Sequence, residues 1–145
     1  RNDFVKLLAT IDPATKPLGG KMNPQEMIEH MSYAMRQASG KDPYTIVTAE
    51  EHLPKMQAFL MSEKPFRENT PNQLLPDEPA PTKHESMQGA LNDLQAEIDH
   101  FFHVFGTDPQ KTITNPFFGE LNYDMQVQLL HKHAWHHLRQ FGITE

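Results

Sequence analysis

The sequence predicts an all-α fold, namely a four-helix bundle with a long proline-rich crossover loop. Four segments repeat apolar residues at helical spacing, and no set of short strands recurs at regular intervals. Five prolines within residues 63–85 exclude a helix or a central strand there. The length of 145 residues fits one domain, so we expect a single helical-bundle domain over residues 1–145.

The first two helices have clear local signals. Residues 3–12 form a short amphipathic pattern, and a proline- and glycine-rich break follows at residues 13–20. Asn23 is a good N-cap, and Glu26 three residues later completes a capping box. The second helix is therefore predicted over residues 24–39, before the stop signal at Gly40.

The middle of the chain gives weaker signals. Thr48 followed by Glu51 predicts another capping box, and a helix over residues 49–61. Pro54 would lie near the first turn of that helix, which favours a start closer to Leu53. The following residues, 63–85, are predicted to form an irregular strap that crosses between two helices.

Two longer helices complete the pattern. Ser86 and Gly106 predict the ends of a helix over residues 86–105, and residues 107–121 read as a loop. The last helix begins after Asn122 and ends before Gly142. The helix over 86–105 has a heptad-like apolar stripe typical of four-helix bundles, made by Met87, Leu91, Leu94, Ile98, Phe101 and Phe105.

Composition excludes several classes of protein. The absence of cysteine excludes disulfide scaffolds, zinc ribbons, iron–sulfur sites and cysteine nucleophiles. A net charge of −6 without a basic stripe argues against nucleic-acid binding. No apolar run approaches the roughly 20 residues that span a bilayer. We therefore expect a cytoplasmic protein with no nucleic-acid or membrane partner; a homodimer is compatible with the sequence.

Histidine is the residue type that points to chemistry. The chain has 9 histidines, and four of them lie between His131 and His137. His133 and His137 are four residues apart, so they share one helix face, at the edge of its apolar arc. His30 lies among methionines on the inward face of the second helix. Together, His30, His133 and His137 predict a three-histidine metal site with positions left for water or substrate.

A competing interpretation is that these inward histidines are hydrogen-bonded core residues. His131 points to the other side of the helix, whereas His136 flanks the apolar arc beyond His133, and we expect neither to be a metal ligand. His100 and His103 lie on a polar or boundary face. His52 and His84 have no distinguishing feature. Glu26, Gln126 and Gln140 are either supporting hydrogen-bond partners or solvent-facing residues. Met27, Met31 and Met35 either line a pliable pocket or, more simply, form ordinary core.

Two segments carry a resemblance to a known family. The first is Met22-Asn23-Pro24-Gln25-Glu26-Met27-Ile28-Glu29-His30-Met31. The second joins Asn115-Pro116-Phe117-Phe118-Gly119-Glu120-Leu121 to His133-Ala134-Trp135-His136-His137-Leu138-Arg139-Gln140-Phe141. In both, the chain resembles the DinB-like (YfiT-like) superfamily of metal-dependent hydrolases. The final His-x-x-x-His-Leu-x-Gln-Phe is the most specific motif.

The resemblance implies a four-helix bundle that holds a divalent metal on His30, His133 and His137. Zinc, nickel and iron all suit three imidazoles. Some members of the superfamily are thiol-dependent transferases or isomerases, which implies a small-molecule thiol or electrophile as substrate. Many members have His-Pro where this chain has Asn115-Pro116, which puts any further ligand or proton carrier at Asn115 in doubt. A metal-binding protein without catalysis, or a plain helical bundle, is the alternative function.

Overall fold

A computed structural model describes most of the chain, and its fold is mainly helical, as predicted. The described residues are 3–12, 14–15, 22–42, 45–64 and 84–143. Helices account for 65% of these residues, accompanied by one small two-stranded sheet. Most of the predicted strap at residues 63–85 and of the predicted break at residues 13–20 lies outside the described ranges. None of the described helices is long and apolar enough to cross a membrane.

The first two helices follow their local signals. Helix α1 spans Asp3–Ala9, shorter than predicted, and α2 spans Pro24–Ser39. At the start of α2, Asn23 Oδ1 accepts from Glu26 N at 2.8 Å, and Glu26 Oε1 accepts from Asn23 N at 2.9 Å. Gly40 ends α2 at a φ of 84°, a left-handed conformation that glycine adopts without steric cost. The predicted bounds of α2 are confirmed.

The third helix begins at Leu53, the later of the two starts considered from the sequence. A 3₁₀ turn at Glu50–His52 leads into α3, which spans Leu53–Met61. The expected capping box at Thr48 does not form, since the 3₁₀ turn begins after Ala49 without a side-chain cap, and the Thr48 hydroxyl donates to the Phe117 carbonyl at 2.8 Å. A partner far along the chain therefore replaces the local cap.

Helix α4 spans Met87–Thr107 and continues past Gly106, where the sequence predicts its end. Ser86 Oγ accepts from Gly89 N at 3.1 Å, which confirms the predicted cap. Gly106 was predicted to end the helix, but the backbone stays helical there, and Asp108 N donates to Val104 O. A β-carbon at Gly106 would contact nothing, so this glycine is an ordinary exposed helical residue.

A short hairpin corrects the prediction of a loop over residues 107–121. Strand β1 (Ile113–Asn115) pairs antiparallel with β2 (Gly119–Leu121). The side-chain oxygen of Asn115 accepts from the backbone N–H groups of Phe117 and Phe118, at 2.8 and 3.1 Å, and so closes the turn. Helix α5 follows at Tyr123–Gln140, with Asn122 as its N-cap, as predicted.

The hydrophobic core lies where the helices pack against one another. Helix α2 packs mainly against α4 and also contacts α5 and β1, while α3 packs against α5. The main cluster includes the apolar faces of α2 and α4, with Leu8 and Ile11 from α1 and its following turn, and Leu138 from α5. Leu60, Phe118 and Leu121 form a smaller cluster between α3 and the hairpin. Met27, Met31 and Met35 are buried core residues.

One buried carboxylate fastens α2 to α4. Glu97 of α4 is only 4% exposed, and it accepts from Lys41 Nζ at 2.7 Å and from Arg36 Nη1 at 3.2 Å. Arg36 also makes two bonds to Asp42, at 2.8 and 3.1 Å. These carboxylates raise the pKa of the guanidinium further above its usual range. The network closes over the end of α2, where the helix turns at Gly40.

We predict that Glu97→Gln destabilises the fold by about 1–3 kcal/mol, because a buried charged acceptor of two cations is lost. The two cations are partly exposed, so they regain water and the loss stays below that of a fully buried pair. Urea unfolding measures the change. The matched variant Glu85→Gln, at an exposed position beside the same helix, should stay within about 0.5 kcal/mol of the parent. Equal effects of the two changes would contradict this role for Glu97.

Candidate metal centre

Two helices bring the three predicted histidines together. His30 lies in the middle of α2, and His133 and His137 lie one turn apart on α5. The ring centroids of His30 lie 5.0 Å from those of both partners, and His133 and His137 are 4.7 Å apart. One ring nitrogen from each residue lies within 4.8 Å of the other two. The group could therefore hold one metal ion.

Burial keeps these imidazoles neutral. Loss of solvent lowers the pKa of His30 from 6.5 to about 4, with a smaller contribution from His136. The same cause lowers the pKa of His137 to about 3, and it lowers the pKa of His133 well below its ordinary value. The neutral ring is the form that binds a metal. The environment therefore favours the ligand state near neutral pH.

Gln140 fixes the orientation of His137. His137 Nδ1 lies 2.9 Å from Gln140 Oε1. Since a carbonyl oxygen only accepts, Nδ1 carries the ring proton and the lone pair is on Nε2. The amide nitrogen of Gln140 lies 3.4 Å from His136 Nε2, so the same side chain also contacts the neighbouring imidazole. Of the polar residues considered as supporting partners, Gln140 is the one in contact with the site.

The hydrogen bonds of the three histidines leave one buried ring nitrogen without a partner among the described residues, which fits a bound metal ion. His30 Nε2 and His133 Nε2 lie 3.0 Å apart and share one hydrogen bond. His137 Nε2 is buried and has no hydrogen-bond partner among the described residues. Unpaired buried nitrogens are rare and call for an explanation such as an ion. An ion between the three rings would accept this lone pair together with those of the other two.

The other residues singled out in the sequence have different roles. Glu26 closes the cap of α2, and Gln126 donates to the Ile113 carbonyl at 3.2 Å, so neither supports the site. His131 is exposed and contacts Trp135. His84 lies 3.2 Å from Asp93. His136 is half-buried, and its ring centroid lies 5.2 Å from that of His137. The other histidines outside the group are exposed or half-buried: His52, His100 and His103.

Sequence reasoning missed one buried polar residue of α5, on the face of the helix opposite the histidine group. Lys132 precedes His133, and its side chain is only 6% exposed. Its ammonium donates to the Ser62 and Lys64 carbonyls and lies 5.0 Å from the centre of the Phe59 ring. No signal in the sequence distinguishes this lysine from a solvent-exposed one, because its acceptors are backbone groups.

We predict that Gln140→Leu weakens metal binding by about 10–100-fold, because His137 loses the acceptor that fixes its ring and its tautomer. Chelator competition on the purified protein measures the affinity. Gln126→Leu is the matched control, since Gln126 is a buried glutamine on the same helix with a partner in the hairpin. That variant should lower stability but leave the affinity of the folded protein unchanged. Equal loss of affinity in both variants would refute the orienting role.

A second prediction concerns pH in the metal-free protein. The folded pKa values of His30 and His137 lie below that of a free imidazole, so the unfolded chain binds protons that the folded chain does not. Stability should be complete above about pH 6.5 and fall as the pH drops toward about 4, by about 1.4 kcal/mol per pH unit and per ring. Thermal unfolding at pH 8, 6 and 5 checks this. A metal-free protein equally stable at all three values would show that the rings are protonated normally.

Family comparison agrees with the sequence motifs and with the geometry. The profile of the DinB superfamily matches residues 1–141, a range that contains all three clustered histidines. No curated protein and no solved structure matched the chain. The family match spans nearly the whole sequence and includes every described helix. The chain therefore belongs to the DinB superfamily.

Proposed function

We propose that this protein is a metal-dependent enzyme that holds one divalent ion on His30, His133 and His137 and acts on a small-molecule thiol or electrophile. The observation that carries the proposal is the buried Nε2 of His137, which has no partner among the described residues and lies beside two other neutral imidazoles. Zinc, nickel and iron all suit this set of donors.

Different residues of the chain would have different roles at such a site. The three imidazoles would hold the ion, and Gln140 holds the proton on His137 Nδ1. The ion would supply Lewis-acid chemistry, lowering the pKa of a bound thiol or water. The chain has no cysteine, so a sulfur nucleophile must arrive with the substrate. In a hydrolase the ion would activate water instead.

A plain helical bundle is the second candidate function, and one contact favours it. The 3.0 Å hydrogen bond between His30 and His133 satisfies two of the three rings without an ion. A metal-binding protein without catalysis is the intermediate case. These candidates separate by two measurements, metal content and thiol chemistry.

The finer architecture is also part of the proposal. We infer that the long helices α2, α3, α4 and α5 form a four-helix bundle within a single domain, with residues 63–85 as the crossover between α3 and α4. The packing of α2 on α4 and of α3 on α5 supports this arrangement. A cytoplasmic location and a homodimer accompany it as expectations, as does the absence of nucleic-acid and membrane partners.

We predict that protein purified without a nickel column contains about one divalent ion per chain. His133→Ala and His137→Ala should each lose the ion, together with the stabilisation that binding gives the folded state. His131→Ala is the control, because it removes the same residue type from the same helix at an exposed position. Elemental analysis and thermal unfolding measure both effects. A parent protein that binds no ion under any of these conditions would favour the plain bundle.

Catalysis has its own test. The metal-loaded protein should accelerate conjugation of a low-molecular-weight thiol to an electrophile such as 1-chloro-2,4-dinitrobenzene, and His137→Ala should abolish the acceleration. The rise in thioether absorbance gives the rate. Metal content near one ion per chain, without acceleration for a panel of thiols and electrophiles, would leave a metal-binding protein without catalysis.

A further inference from the structure

A polar cavity lies on the side of α5 that faces away from the histidine group. Its volume is about 410 Å³, within the range of small-molecule sites. The end of α3 and the residues after it form one wall, and the side of α5 that carries Lys132, Trp135 and Arg139 forms the other. Trp135 is two residues from both His133 and His137, about 200° around the helix from each. The cavity and the histidine group therefore lie on opposite faces of one helix.

Positive charge dominates the lining of this cavity. Lys64, Lys132 and Arg139 contribute three cations, and among the described residues Glu63 is the one carboxylate that lines it. Glu63 is exposed and makes no ion pair with described residues. The half-buried Arg139 likewise has no carboxylate within ion-pair distance in the described part of the chain.

Lys132 is the residue that distinguishes this cavity from a patch of exposed lysines on the surface. Its side chain is buried, and its charge is met by neutral groups, namely two carbonyl oxygens and the face of Phe59. Buried cations normally pair with an acid, because removing a charge from water is costly. The desolvated ammonium of Lys132 therefore lies beside the Arg139 guanidinium, and no described carboxylate pairs with either cation.

Trp135 adds a flat apolar surface to this charged wall. It is half-buried, and His131 contacts its ring from one side at a centroid distance of 6.5 Å. An indole beside a guanidinium suits a ligand that combines an aromatic or planar part with an oxyanion. Inorganic anions alone would leave the indole unused.

We propose that this cavity is a binding site for a small aromatic oxyanion, a carboxylate or a phosphate ester, whose charged group pairs with Arg139 and the ammonium of Lys132 while its ring lies on Trp135. Lys64 contributes charge from the opposite wall. The site does not depend on the metal proposal, since it shares no side chain with the histidine group.

Trp135 is the one tryptophan in the chain, so its fluorescence reports this cavity directly. We would titrate the parent protein at constant ionic strength with phenyl phosphate, benzoate and neutral benzyl alcohol. Phenyl phosphate or benzoate should change the emission saturably, with half-saturation at about 1 mM or below. The tighter of the two identifies the oxyanion. Benzyl alcohol should give no saturation; if it saturates equally, or if neither anion saturates, the proposal is overturned.

Variants locate the binding. Arg139→Gln should weaken binding at least about tenfold, since a charge-assisted hydrogen bond is lost. Lys64→Gln, outside any helix, gives a second test that does not perturb α5 and should weaken binding severalfold. Lys111→Gln, at an exposed position remote in sequence from both walls, should bind as the parent does.

Binding at the metal centre instead is excluded by one more variant. His30→Ala removes an imidazole from α2 and leaves both walls of the cavity intact, so it should keep the parent affinity. Loss of the fluorescence change in His30→Ala, or equal weakening by Arg139→Gln and Lys111→Gln, would overturn the site. Because His30→Ala also removes the metal, failure of this proposal and failure of the metal proposal give different patterns.

Discussion

The lone pair on His137 Nε2 is the constraint around which the histidine group is arranged. Gln140 holds the proton on the other nitrogen of this ring, so Nε2 can only accept. It is buried, and no donor among the described residues reaches it. An unmet buried acceptor costs about 1–3 kcal/mol. Protonation would supply a donor, but burial and the nearby imidazoles oppose the charged form. A shared cation meets the lone pair without placing a proton on the ring.

Interactions away from the histidines keep the two helices in position for this site. Helix α2 is fixed at its start by the capping box of Asn23 and near its end by the ion pairs that Arg36 and Lys41 make with Glu97 of α4. Helix α5 is fixed near its start, where Gln126 donates to β1. His30 lies in the middle of α2, so its separation from His133 depends on contacts several turns away.

The sequence predicts the features whose causes are local. The bounds of α2 follow from Asn23, Glu26 and Gly40, all within a turn of its ends. The grouping of His30 with His133 and His137 follows from helical spacing beside apolar residues, and the structure brings these rings together. Their binding of metal stays a prediction. The bounds of α2 have local causes; for the histidines, local spacing places each one on its own helix face, and the packing of α2 against α5 then brings the rings together.

The features that the sequence did not predict depend on contacts between distant parts of the chain. The strands at Ile113–Asn115 and Gly119–Leu121 have three residues each, too few for an alternating pattern, and they form only as a pair. Thr48 has the sequence context of a cap but bonds to Phe117, a partner distant in the chain. Lys132 is buried because carbonyls after α3 accept its protons. Each of these depends on a contact that exists only after the chain has folded.

The three candidate ligands are all neutral imidazoles, and this affects what else an ion held by them would bind. The ligand group found among the described residues contains imidazoles alone, with no carboxylate. Asn115 does not add a donor, because its side-chain oxygen already accepts two backbone N–H groups in the hairpin turn. Three neutral ligands leave the double charge of a divalent ion uncompensated in a partly buried setting, which favours an anionic fourth ligand. Hydroxide from bound water and a thiolate both supply that charge, and because the sequence has no cysteine, a thiolate there would have to come from a substrate.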